Sequence, residues 1–161
     1  MAGSNQVYDV VKDFGATQTD AMGNKYTANQ ATYNSKNNRL QLTLSTGSNS
    51  SLDLFAHELK HMYQFEIGEI SLGLTESGGN ANLIKGNLLF YDLTDEFEAY
   101  KRGDLFGANE QIMSASEVIT KKGYDDRIPI GPFNAVNHPE AAKIRLNPQS
   151  YADKYNVAFR L

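Results

Sequence analysis

The sequence predicts one α+β domain, dominated by helices, with a small sheet on its N-terminal side. Three observations carry that expectation. The chain has 161 residues, a length suited to one domain with a core of useful size. Residues 39–45 (Arg-Leu-Gln-Leu-Thr-Leu-Ser) alternate strictly between apolar and polar, as a half-buried strand does. From residue 52 onward the apolar period changes to that of a helix, and no repeat or linker divides the remainder of the chain.

Residues 1–51 are rich in Asn, Ser, Thr, Gly and Gln, and residues 1–30 read as irregular apart from Val7 to Val11, a short helix or strand. Asn37-Asn38 before the alternating segment and Gly47-Ser48-Asn49-Ser50-Ser51 after it supply turn chemistry. Across residues 52–67 the apolar positions are Leu54, Phe55, Leu59, Met62, Tyr63, Phe65 and Ile67, with Tyr63 and Phe65 read as core. Ser50 or Ser51 suits the start of this helix and Gly68 its end. Residues 69–91 fit either a hairpin or an irregular excursion around Ser77-Gly78-Gly79-Asn80. A second helix is predicted over 93–102 with Gly103 at its end, and a third over 110–122 with Asn109 as cap and Gly123 as stop. Pro139 and Pro148 sit where a first helical turn accepts proline, which predicts short helices over 139–145 and 148–155.

Composition narrows the chemistry. Fifteen Lys plus Arg against 19 Asp plus Glu give a formal charge of −4, and no basic run is present, so nucleic acid is not an expected partner. No stretch approaches the roughly 18 apolar residues of a membrane span, and the first 20 residues lack the apolar region of a secretory signal. Membrane insertion is therefore not expected. The chain has no Cys, which excludes disulfides, thiolate catalysis and Cys-ligated metal. A metal here needs His, carboxylate or carbonyl ligands.

Two of the three histidines fall four apart, in His57-Glu58-Leu59-Lys60-His61, within the most helical segment of the chain. Residues four apart lie one above the other on a helix face, so both imidazoles can meet one metal ion with Glu58 beside them. At this chain's His and Glu content such a pattern arises by chance in roughly 0.3% of sequences, so coincidence accounts for it poorly. A catalytic zinc ion takes a third protein ligand and leaves a fourth position for water, whose pKa falls to about 7; Glu58 is then the base that takes its proton. The third ligand is expected from the acidic stretch over 92–103. Glu96 is preferred, because Ala99 one turn later is small enough to let this helix press against the first; Glu98 is the alternative. Asp92 and Asp95 read as helix-start acids or as partners to a ligand imidazole.

His57 to His61 followed by Glu96-Phe97-Glu98-Ala99 resembles the zincin metallopeptidases of the gluzincin type, whose third ligand is the first Glu of E-x-x-A-D or E-x-x-A-N. This chain departs from that pattern with Tyr100 at the last position. A closer likeness is to toxin-type metallopeptidase domains at the C-termini of bacterial polymorphic proteins, including those with Rhs repeats. It rests on the alternating strand, L-x-x-H-E-L-x-H (Leu54 to His61), Gly68, and E-A-Y-x-x-G (Glu98 to Gly103), within about residues 33–103. The resemblance implies a zincin-like fold, one zinc ion per chain, a protein or peptide substrate, an immunity or inhibitor protein as a further partner, and secretion or delivery from a bacterium.

In zincins the strand before the motif helix is a sheet edge that receives extended substrate, so residues 39–45 are expected at an edge. A donor to the oxyanion formed on the substrate carbonyl is also needed, and Tyr100, Tyr91, Tyr124 and His138 are the candidates, with His138 also readable as part of a helix start. The competing function is a non-catalytic binding module in which the metal is structural or the motif a relic. A structural site would be closed by a fourth protein ligand such as Glu98 or His138.

Overall fold

The computed structural model describes residues 7–13, 17–19, 25–27, 30–34, 39–45, 52–70, 72–73, 80–82, 90–108, 110–124, 126, 128–131, 143, 146–147, 150 and 157–158. The architecture is α+β. Its elements are β1 (Val7–Asp13), β2 (Thr17–Thr19), β3 (Lys25–Thr27), β4 (Gln30–Asn34), β5 (Arg39–Ser45), α1 (Leu52–Glu66), β6 (Leu72–Gly73), β7 (Asn80–Asn82), α2 (Leu93–Asp104), α3 (Ala115–Lys122) and β8 (Val157–Ala158). One sheet runs β1-β5-β4-β7-β6-β8, and β2 and β3 form a separate antiparallel pair. β1 covers the Val7 to Val11 segment read as a helix or strand, while β2 and β3 lie where the polar composition marked irregular chain. The predicted short helices over 139–145 and 148–155 lie largely outside the described residues, as does Asn109.

The alternating segment is a strand, β5, but it is not an edge. It pairs with β1 in parallel on one side and with β4 antiparallel on the other, so its backbone groups are taken and an added peptide strand has no place on it. β1 is outermost at that end of the sheet, with Arg39 of β5 tied across to its Asp9 at 2.8 Å. Leu40 and Leu42 share a face of β5 and are fully buried. Against them packs α1, through Met62 and Phe65 with Phe55 and Leu59 alongside, and Ile70 and Tyr91 complete the cluster. Tyr63, expected in the core, is instead 45% exposed with the Lys60 ammonium 5.2 Å above its ring.

α1 ends as the sequence predicts. Gly68 takes φ +75°, its N–H reaches the Phe65 carbonyl, and the Glu69 N–H reaches the Gln64 carbonyl, which closes the helix in a Schellman turn. β6 and β7 then pair antiparallel, resolving the segment over 69–91 toward a short hairpin whose tip lies outside the described residues. α2 starts at a capping box: the Asp92 carboxylate accepts from the Thr94 N–H at 2.7 Å, and the Asp95 carboxylate accepts from the Asp92 N–H at 2.9 Å. The Leu93 N–H reaches the Pro129 carbonyl at 2.9 Å, so the first turn leaves little unpaired.

Gly103 does not stop α2. The helix runs to Asp104, and Gly103 is buried in its last turn, where an added Cβ would lie 2.9 Å from the Asp53 carbonyl oxygen of α1. Its lack of a side chain is what lets the two helices touch. α3 begins at Ala115 rather than 110, because Ser114 is its N-cap in extended backbone and residues 110–113 approach it unwound, with Ile112 buried beside Leu93 and Val118. Gly123, left-handed at φ +72°, ends it.

Candidate metal centre

α1 presents two faces. Phe55, Leu59, Met62 and Phe65 point to the sheet, while His57, His61 and Gln64 recur at helical spacing on a face buried against α2. Glu96 and Ala99 are buried on α2, with Gly103 one turn further along. The fully buried Ala99 and the Gly103 contact bring the helices close enough for Glu96 to reach both imidazoles. Glu98 faces elsewhere: its half-exposed carboxylate pairs with Lys60 at 2.7 Å and takes no part in the cluster.

His57 Nε2 and His61 Nε2 lie 3.1 Å apart, and they lie 3.3 Å from Glu96 Oε2 and Oε1 respectively. Among the described residues these three side chains form the group able to hold a metal ion. The spacing fits the ion's geometry. Tetrahedral coordination with bonds of about 2.0–2.1 Å places neighbouring donor atoms about 3.3 Å apart. The donor set fits as well, since two imidazole lone pairs and a carboxylate converging in a dry pocket repel one another unless a proton or a cation lies between them.

The surrounding groups orient these ligands. The Gln64 side-chain N–H donates to the Asp95 carbonyl at 3.1 Å, which turns its Oε1 toward His61 Nδ1 at 2.8 Å. His61 Nδ1 is thereby the donor, which commits its Nε2 to the cluster: Nε2 donates to Glu96 while the imidazole is charged and offers a lone pair once that proton is lost. Glu96 is gripped by two phenols: Tyr91 donates to Oε1 at 2.6 Å and Tyr124 to Oε2 at 2.8 Å. Burial, reinforced by the Glu96 charge, pushes both phenols upward from their ordinary pKa, so they remain donors. Burial alone would raise Glu96, but the charge on His61 and hydrogen bonds from both imidazoles outweigh it and hold the carboxyl well below the usual range. Burial alone would lower His61, yet Glu96, with help from Glu58 and Gln64, lifts it to about 9. Desolvation also pushes Asp95 up to about 8.

His57, His61 and Glu96 therefore meet as the sequence predicts, and Glu58 is half-buried on the same helix. Asp92 and Asp95 are helix-start acids, and Asp95 meets the site through its backbone carbonyl, with its carboxyl in the field of His61. Tyr100 packs edge-on against His57 with ring centroids 4.4 Å apart. Tyr91 and Tyr124, weighed in the sequence as oxyanion donors, have their hydroxyls on Glu96. His138 lies outside the described residues. Sequence reasoning missed Gln64, although a polar residue three positions after His61 in an apolar stretch of helix is a visible signal.

No helix among the described residues is long and apolar enough to cross a membrane. The chain matches no family model, no curated protein and no solved structure.

Proposed function

We propose that this chain is a zinc-dependent metallopeptidase with a zincin-like arrangement, hydrolysing peptide bonds in a protein or peptide substrate. The convergence of His57, His61 and Glu96 at donor spacings of 3.1 to 3.3 Å carries the reading. Those three residues would hold the ion, and zinc supplies there a Lewis acid that acidifies water to a pKa of about 7 and polarises a carbonyl. The chain's own part is positional and protonic. Glu58, adjacent in sequence to one ligand, takes a proton from the attacking water and returns it to the leaving amine. Gln64, Tyr91 and Tyr124 keep the ligands aimed without taking part in proton transfer. The three-ligand group found among the described residues favours a catalytic site, with a coordination position to spare, over the closed site of a structural module, since Glu98 is engaged by Lys60. The toxin-type resemblance extends the proposal to a delivered bacterial effector with a protein inhibitor, although β5, interior to its sheet, offers the substrate no edge.

The test is metal analysis of protein prepared without chelator, with cleavage of a mixed protein substrate by wild type and by Glu58→Gln. One zinc per chain in both proteins, with cleavage lost in the variant and on chelation, supports the proposal. A chain that neither retains nor takes up zinc overturns it, and zinc held without cleavage by the wild type leaves the binding-module reading in its place.

A further inference from the structure

The two histidines of the cluster are not equally supported. To bind a metal through Nε2, a neutral imidazole must carry its proton on Nδ1, and that N–H needs an acceptor when water is excluded. His61 has one, in Gln64 Oε1 at 2.8 Å, and Gln64 is itself fixed by the Asp95 carbonyl. His57 has none among the described residues: its Nδ1 is buried and without a hydrogen-bond partner, and the rings of Tyr100 and His61 lie against its own. Glu96, by contrast, is held at both oxygens by phenols. A buried donor left unpaired is costly, and that cost falls on the one tautomer in which His57 ligates.

We infer that His57 is the weak ligand of this site, and that a bound metal is held chiefly by His61 and Glu96, with His57 free to let go. This rests on the reading that the cluster binds zinc. The consequence is a metal that exchanges readily, because one of its three protein bonds lacks the support that slows dissociation. The positioning residue responsible for the difference is Gln64.

The experiment measures zinc affinity by competition with a chromogenic chelator for wild type, His57→Ala, His61→Ala, Gln64→Leu and the two double variants carrying Gln64→Leu. His61→Ala is expected to lose at least about tenfold more affinity than His57→Ala. Gln64→Leu alone should lower affinity by about 10- to 100-fold, the usual effect of removing such a partner, and should erase the difference between the two histidine variants. A second measurement needs no variant. In the zinc-loaded wild type, the imidazole ¹⁵N–¹H spectrum should show a hydrogen-bonded, downfield, slowly exchanging Nδ1–H for His61 and an upfield one for His57. Equal losses from the two alanine variants, or matching imidazole signals, overturn the inference while leaving zinc binding intact. A wild-type chain that binds no zinc overturns the underlying reading instead, and this inference with it.

Discussion

Gly103→Ala sets two physical expectations against each other. In an isolated helix the change is favourable, because alanine is a better helix former than glycine by about 0.8–1.0 kcal/mol. In this fold the new Cβ would lie 2.9 Å from the Asp53 carbonyl oxygen and 3.4 Å from its carbonyl carbon, both of them backbone atoms that no side-chain rotation can move. Restoring an ordinary contact requires α2 to back away from α1 by about half an ångström, and overpacking of this kind costs about 1–3 kcal/mol. The net expectation is a loss of about 1 kcal/mol. Glu96 lies two turns from Gly103 along the same helix, about 10 Å at the α-helical rise, so the displacement also reaches the proposed metal ligand. Urea denaturation of metal-free protein should give a lower midpoint for the variant at unchanged slope, and chelator competition should give weaker zinc binding. A variant more stable than wild type by the helix-propensity increment would refute the close approach of the helices and, with it, the account of how Glu96 reaches the imidazoles.

The same geometry sets three further outcomes. Tyr91→Phe removes a buried hydrogen bond to a carboxylate and should cost about 2 kcal/mol, with Tyr124→Phe costing less because that residue is only partly buried; both appear as shifts in the denaturation midpoint. Glu98→Gln should leave zinc affinity unchanged while Glu96→Gln lowers it sharply, since only Glu96 stands among the ligand atoms; equal effects in a chelator titration would reassign the third ligand. For pH, His61 is raised from 6.5 to about 9, so the stability it confers on the metal-free fold is complete below pH 6.5 and is lost as pH climbs toward 9, while Asp95, raised to about 8, slopes the same way. Zinc must displace the His61 proton, so its affinity should rise over that same window; a metal-free midpoint that increases from pH 6.5 to 9 would contradict the assignment.

Local rules made part of this molecule legible in its sequence. The paired histidines and their helix were readable because four-residue spacing, apolar period and the Gly68 stop all lie within one segment. Glu96 was separable from Glu98 by Ala99, because helical geometry alone puts residues 96 and 99 on one face. The failures are tertiary. The parallel partner of β5 comes from residues 7–13, far off in sequence, and nothing inside the alternating segment tells an edge from an interior strand. A glycine near the end of a helix reads as a stop, yet Gly103 answers to the Asp53 backbone of a different helix. Tyr91 and Tyr124 were visible as phenols near the site, but which atom each would meet depended on the turn before α2 and the chain after α3.

The phenols also bear on how the site relates to folding. A small metal domain that lacks a core assembles only when the ion arrives, because its ligands cannot lie close together without it. Here the ligand-bearing helices are held by other means: α1 by Leu40, Leu42 and Ile70, and α2 by Leu93, Ile112 and Val118. Glu96, the ligand most costly to bury as a charge, already accepts two hydrogen bonds and stands beside His61, so its burial does not wait for a cation. An ion bound there would compete with the His61 proton for one position within a cluster that the fold has assembled in advance. On the proposed reading, metal loading is an exchange for the His61 proton within a preorganised site, and the least supported ligand there is His57, whose Nδ1 has no hydrogen-bond partner among the described residues.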